Sequence, residues 1–255
     1  MPGLDDFFEA LGRRKPERLE KDSEIYKIMA SVFDQSTILT LCKMVNRGIF
    51  EMIYGAVSTG KEANVFCAAD RDGNFLAVKI YRVATSDFKT MYRYLVADPR
   101  YARIPHERRR IIFAWTSREF KNLQRAHEAG VRAPRPVDHE KNVLVMEFLG
   151  ENGIPYPRMK DRAPDDPRLA FEMILQDMRL LYQKAGLVHA DLSEYNILMA
   201  PEPYIIDFSM AIDVESPMAS SYLERDIANI LRYFEKIGLR VPDAHEITKY
   251  ITGQR

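Results

Sequence analysis

The sequence predicts an α+β protein in which an antiparallel sheet is followed by a mainly helical part. Short apolar and β-branched segments separated by turn residues indicate strands over 50–57, 64–69, 75–80 and 143–148. Apolar side chains at helical spacing over 167–184 indicate a long helix, with a proline at its start and Gly186 at its end. The content of 46% hydrophobic and 29% charged residues is that of an ordinary globular protein.

The net charge and the two cysteines limit the partners and the cellular compartment that we expect. Lysine plus arginine and aspartate plus glutamate both number 37, so the net charge gives no reason to expect nucleic-acid or membrane binding. Cys42 and Cys67 each stand alone among apolar residues, which is typical of reduced core residues. We see no signal peptide and no apolar run of the ~20 residues that a membrane helix needs, and we therefore expect a cytoplasmic protein.

Residues 1–48 are predicted to form an N-terminal helical extension. Apolar residues recur at helical spacing over 23–47. Either Asp34 or Ser36 would cap a second helix within this segment, and Gly48 favours a stop after it.

The turn over 58–63 joins the first two strands and is predicted to cover phosphate groups. Gly60 allows close backbone approach, while Ser58, Lys61 and backbone N–H groups offer donors. With an upstream glycine the segment also matches the start of a Walker A loop. That alternative requires Ser or Thr after the lysine and then a helix, but Glu62 and a predicted strand follow. A plain polar hairpin is the other alternative.

Lys79 stands at the end of the third predicted strand, in Leu-Ala-Val-Lys. Its apolar flanks would direct the ammonium group inward, where it needs a carboxylate partner. Glu119, on a helix predicted over 115–129, is the preferred partner, and Glu107 and Glu128 are weaker candidates near the helix ends. Such a pair would position the α- and β-phosphates of a nucleotide.

A long irregular segment is predicted over 82–110. Loops of this length are often functional, and its basic residues would suit RNA phosphates. A solvated loop that leads into a basic helical turn is the preferred interpretation. The basic residues include Arg100, Arg103, His106 and the run 108–110.

The strand over 143–148 leads into a linker rich in glycine and proline, which marks a domain boundary. We predict a first domain over 49–149 and a second over 150–255. Adenine would bind the backbone of Glu147 and Leu149 at this boundary, with Met146 at the back of its pocket.

The strongest signal is the segment 189–196, which reads His-Ala-Asp-Leu-Ser-Glu-Tyr-Asn. It matches the kinase catalytic-loop pattern H-R-D-L-x-x-x-N. Asp191 would accept a hydroxyl proton, while Asn196 and Asp207 would hold Mg²⁺ against a triphosphate. A hairpin with strands over 197–199 and 204–206 separates the two metal ligands. A polar surface turn would not need all of these residue types in this order.

One more long helix is predicted after the hairpin. Ser221 and Glu224 have the spacing of a capping box at its start. Its buried side would carry Ile227, Ile230, Leu231 and Phe234.

These motifs, in this order, resemble the RIO family of atypical protein kinases, and within it the type 1 branch in its archaeal form. The residues that carry the resemblance are Ser-Thr-Gly-Lys-Glu-Ala-Asn-Val at 58–65, the segment 189–196, Ile206 with Asp207, and Tyr-Leu-Glu-Arg-Asp at 222–226. The resemblance runs from about residue 50 to the C-terminus.

The resemblance implies a trimmed two-lobed protein-kinase-like fold, with an antiparallel N-lobe that includes helix C and a reduced helical C-lobe. It implies a serine/threonine kinase and ATPase that uses ATP with Mg²⁺, or with Mn²⁺. Glu62, Val65, Ala77 and Ile206 would join the nucleotide contacts. The acid at Asp207 would also be transiently phosphorylated.

The resemblance also implies a role in maturation of the small ribosomal subunit, with precursor rRNA and ribosomal proteins as partners. In the family the segment that matches 82–110 is flexible and associated with autophosphorylation, for which Thr85, Ser86 and Thr90 are available here. We expect a monomer or weak dimer that binds no membrane. The alternative is a catalytically weak scaffold that binds nucleotide during ribosome assembly.

Overall fold

The computed structural model describes residues 34–83, 87–98 and 100–253. The helix predicted before Asp34 lies outside this range. The described residues divide into two compact units, and the division into 1–48, 49–149 and 150–255 stays a prediction. The first unit contains the described residues up to Tyr92, with Pro105–Ser117 and Val137–Phe148, and the second contains Arg93–Ile104, Arg118–Pro136 and the residues from Leu149 onward.

Strands dominate the first part of the described chain and helices the second, as the sequence predicts. The helices are α1 (Gln35–Asn46), α2 (Phe88–Ala97), α3 (Arg108–Glu128), α4 (Pro167–Gln183), α5 (Ala219–Lys236) and α6 (Ala244–Thr252). The strands are β1 (Met52–Thr59), β2 (Ala63–Ala69), β3 (Phe75–Tyr81), β4 (Pro136–Glu140), β5 (Val143–Glu147), β6 (Gly150–Glu151), β7 (Ile154–Pro155), β8 (Leu187–Val188), β9 (Ile197–Met199), β10 (Pro203–Ile205) and β11 (Ile212–Asp213).

The first unit is built on a five-stranded sheet with strand order β1-β2-β3-β5-β4. The β1–β2, β2–β3 and β3–β5 pairs are antiparallel. Alternate residues of a strand share a face, so Leu76, Val78 and Ile80 of β3 point to one side. There they join a buried apolar cluster with Leu41 and Met44 of α1. This cluster is the core of the first unit.

Helix α1 begins and ends where its capping residues predict. Asp34 is the N-cap, and its carboxylate accepts a hydrogen bond of 2.8 Å from the backbone N–H of Thr37. Gly48 has a φ of +75°, a conformation that glycine adopts without strain. Of the two candidate caps, the structure therefore selects Asp34 over Ser36.

Asn142, in the turn between β4 and β5, links this turn to α1 and to β3 by hydrogen bonds. Its side-chain N–H₂ donates to the Thr37 hydroxyl of α1 and to the Tyr81 carbonyl of β3, both at 3.0 Å. Its carbonyl accepts from the Tyr81 N–H at 2.9 Å. Since the side chain is 1% exposed, these groups have protein partners in place of water.

The prediction of an irregular segment over 82–110 is wrong in its middle, where α2 forms. Asp87 caps this helix, because its carboxylate accepts from the Thr90 N–H at 3.1 Å and from the Thr90 hydroxyl at 2.8 Å. Met91 and Leu95, one helical turn apart, are buried. The capping residue and the apolar spacing were both present in the sequence. Thr85 and Ser86 lie outside the described residues.

Several basic residues of this region contact protein carboxylates. Arg100 lies 2.6 Å from Asp98, and Arg109 lies 3.2 Å from Asp34. These pairs offset part of the positive charge that the RNA interpretation depends on.

Helix α4 forms the centre of the second unit and matches its prediction. Asp166 is the N-cap and accepts from the Leu169 N–H at 3.0 Å, and Pro167 takes the first helical position. Phe171 packs edge-on against Phe234 of α5, with ring centroids 5.0 Å apart. Gly186, at a φ of +64°, follows the helix end.

The predicted capping box at Ser221 and Glu224 is wrong. Helix α5 begins at Ala219, and Met218 at its N-cap makes no side-chain hydrogen bond to the helix. The Ser221 hydroxyl donates to the Met218 carbonyl at 3.0 Å, because Ser221 already lies within the first turn. Of the predicted stripe, Ile227, Ile230 and Phe234 are buried, whereas Leu231 is only half-buried.

Other element boundaries differ from the predictions by one to seven residues. Helix α3 begins at Arg108, seven residues before the predicted start, and β10 begins one residue early. The predicted linker contains the β6–β7 hairpin, whose turn residues Asn152 and Gly153 both have positive φ. Helix α6 was not predicted.

Both cysteines are free thiols, as predicted. Burial raises the pKa of the Cys67 thiol, and it also raises the pKa of the Cys42 thiol. Across the described ranges, we find no helix with the length and apolar character to cross a bilayer.

We predict that Asn142→Ala lowers the free energy of unfolding by about 1–3 kcal/mol, because the Tyr81 carbonyl and the Thr37 hydroxyl lose a donor in a buried place. Urea denaturation measures the change. Asn46→Ala, at an exposed position of α1, is the matched control and should change stability by less than about 0.5 kcal/mol. Equal effects of the two substitutions would contradict the linking role of Asn142.

Candidate functional site

The segment 189–196 forms a tight loop in the second unit. The Asn196 side-chain N–H₂ donates to the Asp191 carbonyl at 2.9 Å and to its carboxylate at 3.1 Å. The Asn196 backbone N–H donates to the Ser193 carbonyl at 3.0 Å. Both side-chain hydrogen bonds use the nitrogen, so they hold the amide in place without using its oxygen.

The β9–β10 hairpin carries the chain back to this loop. The Ile206 N–H donates to the Asn196 carbonyl at 2.9 Å, and the Ile206 carbonyl lies 3.1 Å from Nε2 of His189. Asp207 follows directly and lies near enough to Asp191 for their charges to interact. The structure therefore places Asp191 against Asn196 and within charge interaction of Asp207, and the predicted roles of these residues stay predictions.

The environment of Asp191 favours proton uptake. Desolvation by the surrounding protein, followed by the nearby Asp207 carboxylate, raises the pKa of Asp191. The hydrogen bond from Asn196 and the charge of Arg225 oppose this rise. A carboxylate with a raised pKa is a better proton acceptor, which suits a general base.

Two residues of the site adopt a left-handed backbone conformation that is unusual for residues with a side chain. Ala190 has a φ of +65° and Asp207 a φ of +64°. The buried Phe208 ring fixes the chain after Asp207, since it packs against the His189 ring at 5.1 Å. Surrounding contacts of this kind maintain strained conformations at functional sites.

Asp226 of α5 is a positioning residue that sequence reasoning did not identify. Its carboxylate accepts from the Ala190 N–H at 2.8 Å and from the Leu192 N–H at 2.9 Å, on either side of Asp191. Arg225 donates to the Ala190 carbonyl, and Asn229 donates to the Leu192 carbonyl. Helix α5 thus holds the loop on both sides of the proposed base.

A signal for Asp226 was present in the sequence. Its neighbours on the helix, Leu223, Ile227 and Ile230, form the apolar stripe, and an aspartate within that stripe must be buried. A buried carboxylate requires hydrogen-bond donors. Burial outweighs the Leu192 and Ala190 N–H bonds and raises the pKa of Asp226 to about 7.

The first unit carries several predicted nucleotide contacts on one face of its sheet. Ala77 pairs with Met146 of β5, and Val65 of β2 pairs with Lys79. Val65, Ala77 and Met146 belong to a small apolar cluster with Cys67 and Phe148, which is separate from the cluster that contacts α1. This face is apolar and also carries Lys79, and its contact with a nucleotide stays a prediction.

Lys79 is buried, at 6% exposure, with its ammonium 5.1 Å from the Tyr81 ring centroid. Glu119 of α3 is also buried, at 2%, whereas the alternative partners Glu107 and Glu128 are exposed. The Lys79–Glu119 ion pair stays a prediction.

The turn between β1 and β2 is closed by its own backbone. The Gly60 N–H contacts the Ala63 carbonyl at 3.0 Å and the Asn64 side-chain oxygen at 3.2 Å. A Cβ at Gly60 would lie 2.9 Å from the Ala63 carbonyl oxygen, so a larger residue does not fit. Ser58 is half-buried, and Lys61 and Glu62 are exposed. Strand β2 follows this turn, which contradicts the Walker A alternative.

The two predicted adenine contacts lie at the end of β5 and just after it. Glu147 is the last residue of the strand. The carbonyl of the buried Leu149 accepts from the Tyr156 N–H at 3.0 Å.

The residues around Asp191 fit a magnesium ion. Mg²⁺ prefers oxygen ligands and usually takes only one or two protein carboxylates, with phosphates and water completing its shell. The Asn196 amide oxygen and the Asp207 carboxylate are ligands of this kind. Within the described ranges, no cluster of three or more His, Cys, Asp or Glu residues could hold a metal.

Comparison with known families identifies this arrangement. A family model described as the RIO domain matches residues 64–247. The chain belongs to the RIO family. The matched residues include β2 from its second residue, α3, the segment 189–196 and Asp226, so the match covers parts of both units.

Two archaeal relatives show the branch of the family. RIO-type serine/threonine-protein kinase Rio1 of Haloferax volcanii is 39% identical over 256 residues, which cover 98% of this chain and 88% of the relative. The protein of the same name from Methanocaldococcus jannaschii is 43% identical over 240 residues, 93% and 81% of the two chains. The predicted type 1 branch is confirmed, and this RIO protein is a serine/threonine protein kinase.

A solved structure shows the same fold. The Rio2 kinase of Chaetomium thermophilum, in a complex with ADP/Mg²⁺ and phosphoaspartate, matches with a TM-score of 0.61 and 21% identity, over 84% of this chain and 66% of that one. This match confirms the predicted trimmed kinase-like fold.

We predict that the stability contributed by Asp226 depends on pH. Its pKa is about 7 in the folded protein and 3.8 as the ordinary value, so folding takes up a proton between these values. The contribution of this carboxyl to the free energy of unfolding therefore falls as pH rises from about 4 to about 7.

Asp226→Asn should accordingly destabilise the RIO protein more at pH 5 than at pH 8, as urea denaturation at both values measures. Asp177, whose pKa burial raises to about 6, is present in both proteins and cancels in the comparison. If the free energies of unfolding of wild type and variant differ by the same amount at both pH values, this would contradict the raised pKa of Asp226.

Proposed function

We propose that this RIO protein is a Mg-ATP-dependent serine/threonine kinase that also hydrolyses ATP and phosphorylates itself. The observation that carries the proposal is the hydrogen bond between Asn196 and Asp191, with Asp207 near enough to Asp191 for their charges to interact. A general base and two magnesium ligands within one small site match what phosphoryl transfer needs.

In hydroxyl transfer, Asp191 accepts the proton of a serine or threonine hydroxyl while that oxygen bonds to the γ-phosphorus. The bond from the γ-phosphorus to the bridging oxygen breaks, and ADP leaves. The Asn196 amide oxygen and the Asp207 carboxylate would hold Mg²⁺, with Mn²⁺ as an alternative, and the ion would neutralise charge on the phosphates.

Nucleotide binding is assigned to the remaining predicted residues. Val65, Ala77, Met146 and Ile206 would contact the adenosine, and the backbone of Glu147 and Leu149 would bond to the adenine edge. Ser58, Lys61 and Glu62 would lie over the phosphates. Lys79, paired with Glu119, would position the α- and β-phosphates.

The ATPase activity would pass through Asp207. One of its carboxylate oxygens attacks the γ-phosphorus, ADP leaves, and water then hydrolyses the acyl phosphate to restore the carboxylate. The Rio2 structure with ADP/Mg²⁺ and phosphoaspartate gives this step a precedent in the same fold.

The cellular role is proposed from the family resemblance alone. The protein would act in the cytoplasm on precursors of the small ribosomal subunit, with rRNA and ribosomal proteins as partners, as a monomer or weak dimer. A catalytically weak scaffold is the alternative, and the measurements below separate the two.

We predict that Asp191→Ala lowers turnover by about 10²- to 10⁴-fold, because a general base contributes about that much. ATP affinity, measured by calorimetry, should change little, since Asp191 acts on the acceptor hydroxyl. Glu194→Ala is the matched control, because it removes a carboxylate from the same loop without touching the proposed ligands. Unchanged turnover in Asp191→Ala would refute the assignment.

The chemical form of the phosphorylated protein separates the two activities. After incubation with γ-labelled ATP and Mg²⁺, label that hydroxylamine removes, and that Asp207→Asn abolishes, would establish the acyl phosphate. Acid-stable label on serine or threonine, lost in Asp191→Ala, would establish hydroxyl transfer. ATP binding without label or released phosphate would overturn the proposal in favour of the scaffold.

A further inference from the structure

A single buried arginine holds the backbone that follows Asp207. Arg118 of α3 is 1% exposed. Two different nitrogens of its guanidinium donate to the carbonyls of Ser209, at 2.6 Å, and Ala211, at 2.7 Å. The planar fork of arginine can serve two carbonyls at once, which the single ammonium of lysine cannot do in the same geometry.

Asn122, one helical turn further along α3, holds the same segment. Its side-chain N–H₂ donates to the Phe208 carbonyl at 3.2 Å and to the Ala211 carbonyl at 2.9 Å. Together, Arg118 and Asn122 bind three backbone carbonyls, those of Phe208, Ser209 and Ala211, within four residues of Asp207. The conformation of Asp207, at a φ of +64°, is therefore held on its C-terminal side by α3.

The charge of Arg118 needs a partner, because burial of an unpaired guanidinium is costly. That partner is Asp98, directly after α2, whose carboxylate lies 3.3 Å from Nε of Arg118. Asp98 is half-buried and also binds Arg100. Burial lowers the pKa of Arg118, and the Asp98 charge opposes that effect.

Helix α2 has a second connection to the site. The Tyr94 and Tyr222 hydroxyls lie 2.6 Å apart. The Arg225 guanidinium lies 4.7 Å from the Tyr222 ring centroid and donates to the Ala190 carbonyl. The segment that begins with α2 thus contacts the residues that hold both acids in place. Asp98 contacts Arg118, which holds the backbone after Asp207, and Tyr94 contacts Tyr222, which lies against Arg225 beside Asp191.

We propose that Asp98 and Arg118 are positioning residues of the phosphoryl-transfer site. Asp98 orients the Arg118 guanidinium, which holds the Ser209 and Ala211 carbonyls and so sets the direction of the Asp207 carboxylate. The region between β3 and α3 then contributes a residue, Asp98, that positions the site, in addition to joining the two elements. The kinetic part of this inference rests on the proposed function.

Asp98→Asn tests the proposal with little change of shape, since it removes the charge and keeps an acceptor. We expect kcat to fall by about 10- to 100-fold, as displacement of a reacting group by about 1 Å does. The Mg²⁺ concentration for half-maximal rate should rise, while KM for ATP changes little. Arg118→Lys should behave in the same way, because a retained charge without the fork cannot serve both carbonyls.

Hydrogen exchange in the protein without metal or nucleotide provides a readout that does not need activity. Peptides that cover 207–213 should exchange faster in both variants than in wild type, while peptides from β3 and α4 keep their rates. Asp165→Asn, which breaks an Arg162 pair that is largely exposed, is the matched control and should change neither exchange nor kcat.

Each outcome decides the proposal. Folded variants with wild-type kcat, Mg²⁺ requirement and exchange over 207–213 would overturn it, as would lower stability alone without these changes. If Asp98→Asn does not fold, Arg118→Lys decides by the same measurements. Wild type without any turnover would refute the proposed function, and the exchange comparison would still decide whether Asp98 and Arg118 order the Asp207 segment.

Discussion

The contact between Asp226 and the backbone of the segment 189–196 is the constraint on which the site depends. A loop that places a carboxylate at its surface must still satisfy its own buried N–H groups, and one aspartate on α5 accepts from the residues on both sides of Asp191. Helix α5 can supply it because its apolar stripe anchors the helix in the core. The position of the proposed base is therefore a consequence of helix packing.

A different set of contacts holds Asp207, and here too side chains of a helix bind the backbone next to the acid. Its left-handed conformation has an energetic cost, and the chain after it is fixed by the Phe208 ring and by hydrogen bonds from α3 to backbone carbonyls. Two helices far apart in sequence thus each hold one acid. Because the two acids lie close together, a displacement of either helix would alter their separation. It would also alter the charge interaction that helps to raise the pKa of Asp191.

The two faces of the sheet in the first unit carry two different apolar clusters, because side chains alternate along a strand. Residues 76, 78 and 80 of β3 face α1 and form the core, while Ala77 and Lys79 face the other side with Val65 and Met146. Both faces of β3 are buried, because its side chains alternate between two apolar clusters. The cluster on the second face is small, and its contact with adenine stays a prediction.

The sequence by itself determined the fold class, most elements and the acids of the site, because these depend on local patterns. Asp34, Asp166 and Gly186 marked helix ends, and the spacing from Asp191 to Asn196 and on to Asp207 predicted the site and its chemistry. The helix that begins at Phe88 was within reach of the same reasoning but was overlooked. Tertiary structure alone decided that Asp226 supports the 189–196 segment and that Asp98 and Arg118 support the 208–211 segment. Such contacts join residues 20 to 93 positions apart. Apart from the Asp98–Arg118 pair, one partner in each contact is a backbone group, which every residue carries, so a sequence pattern does not identify it.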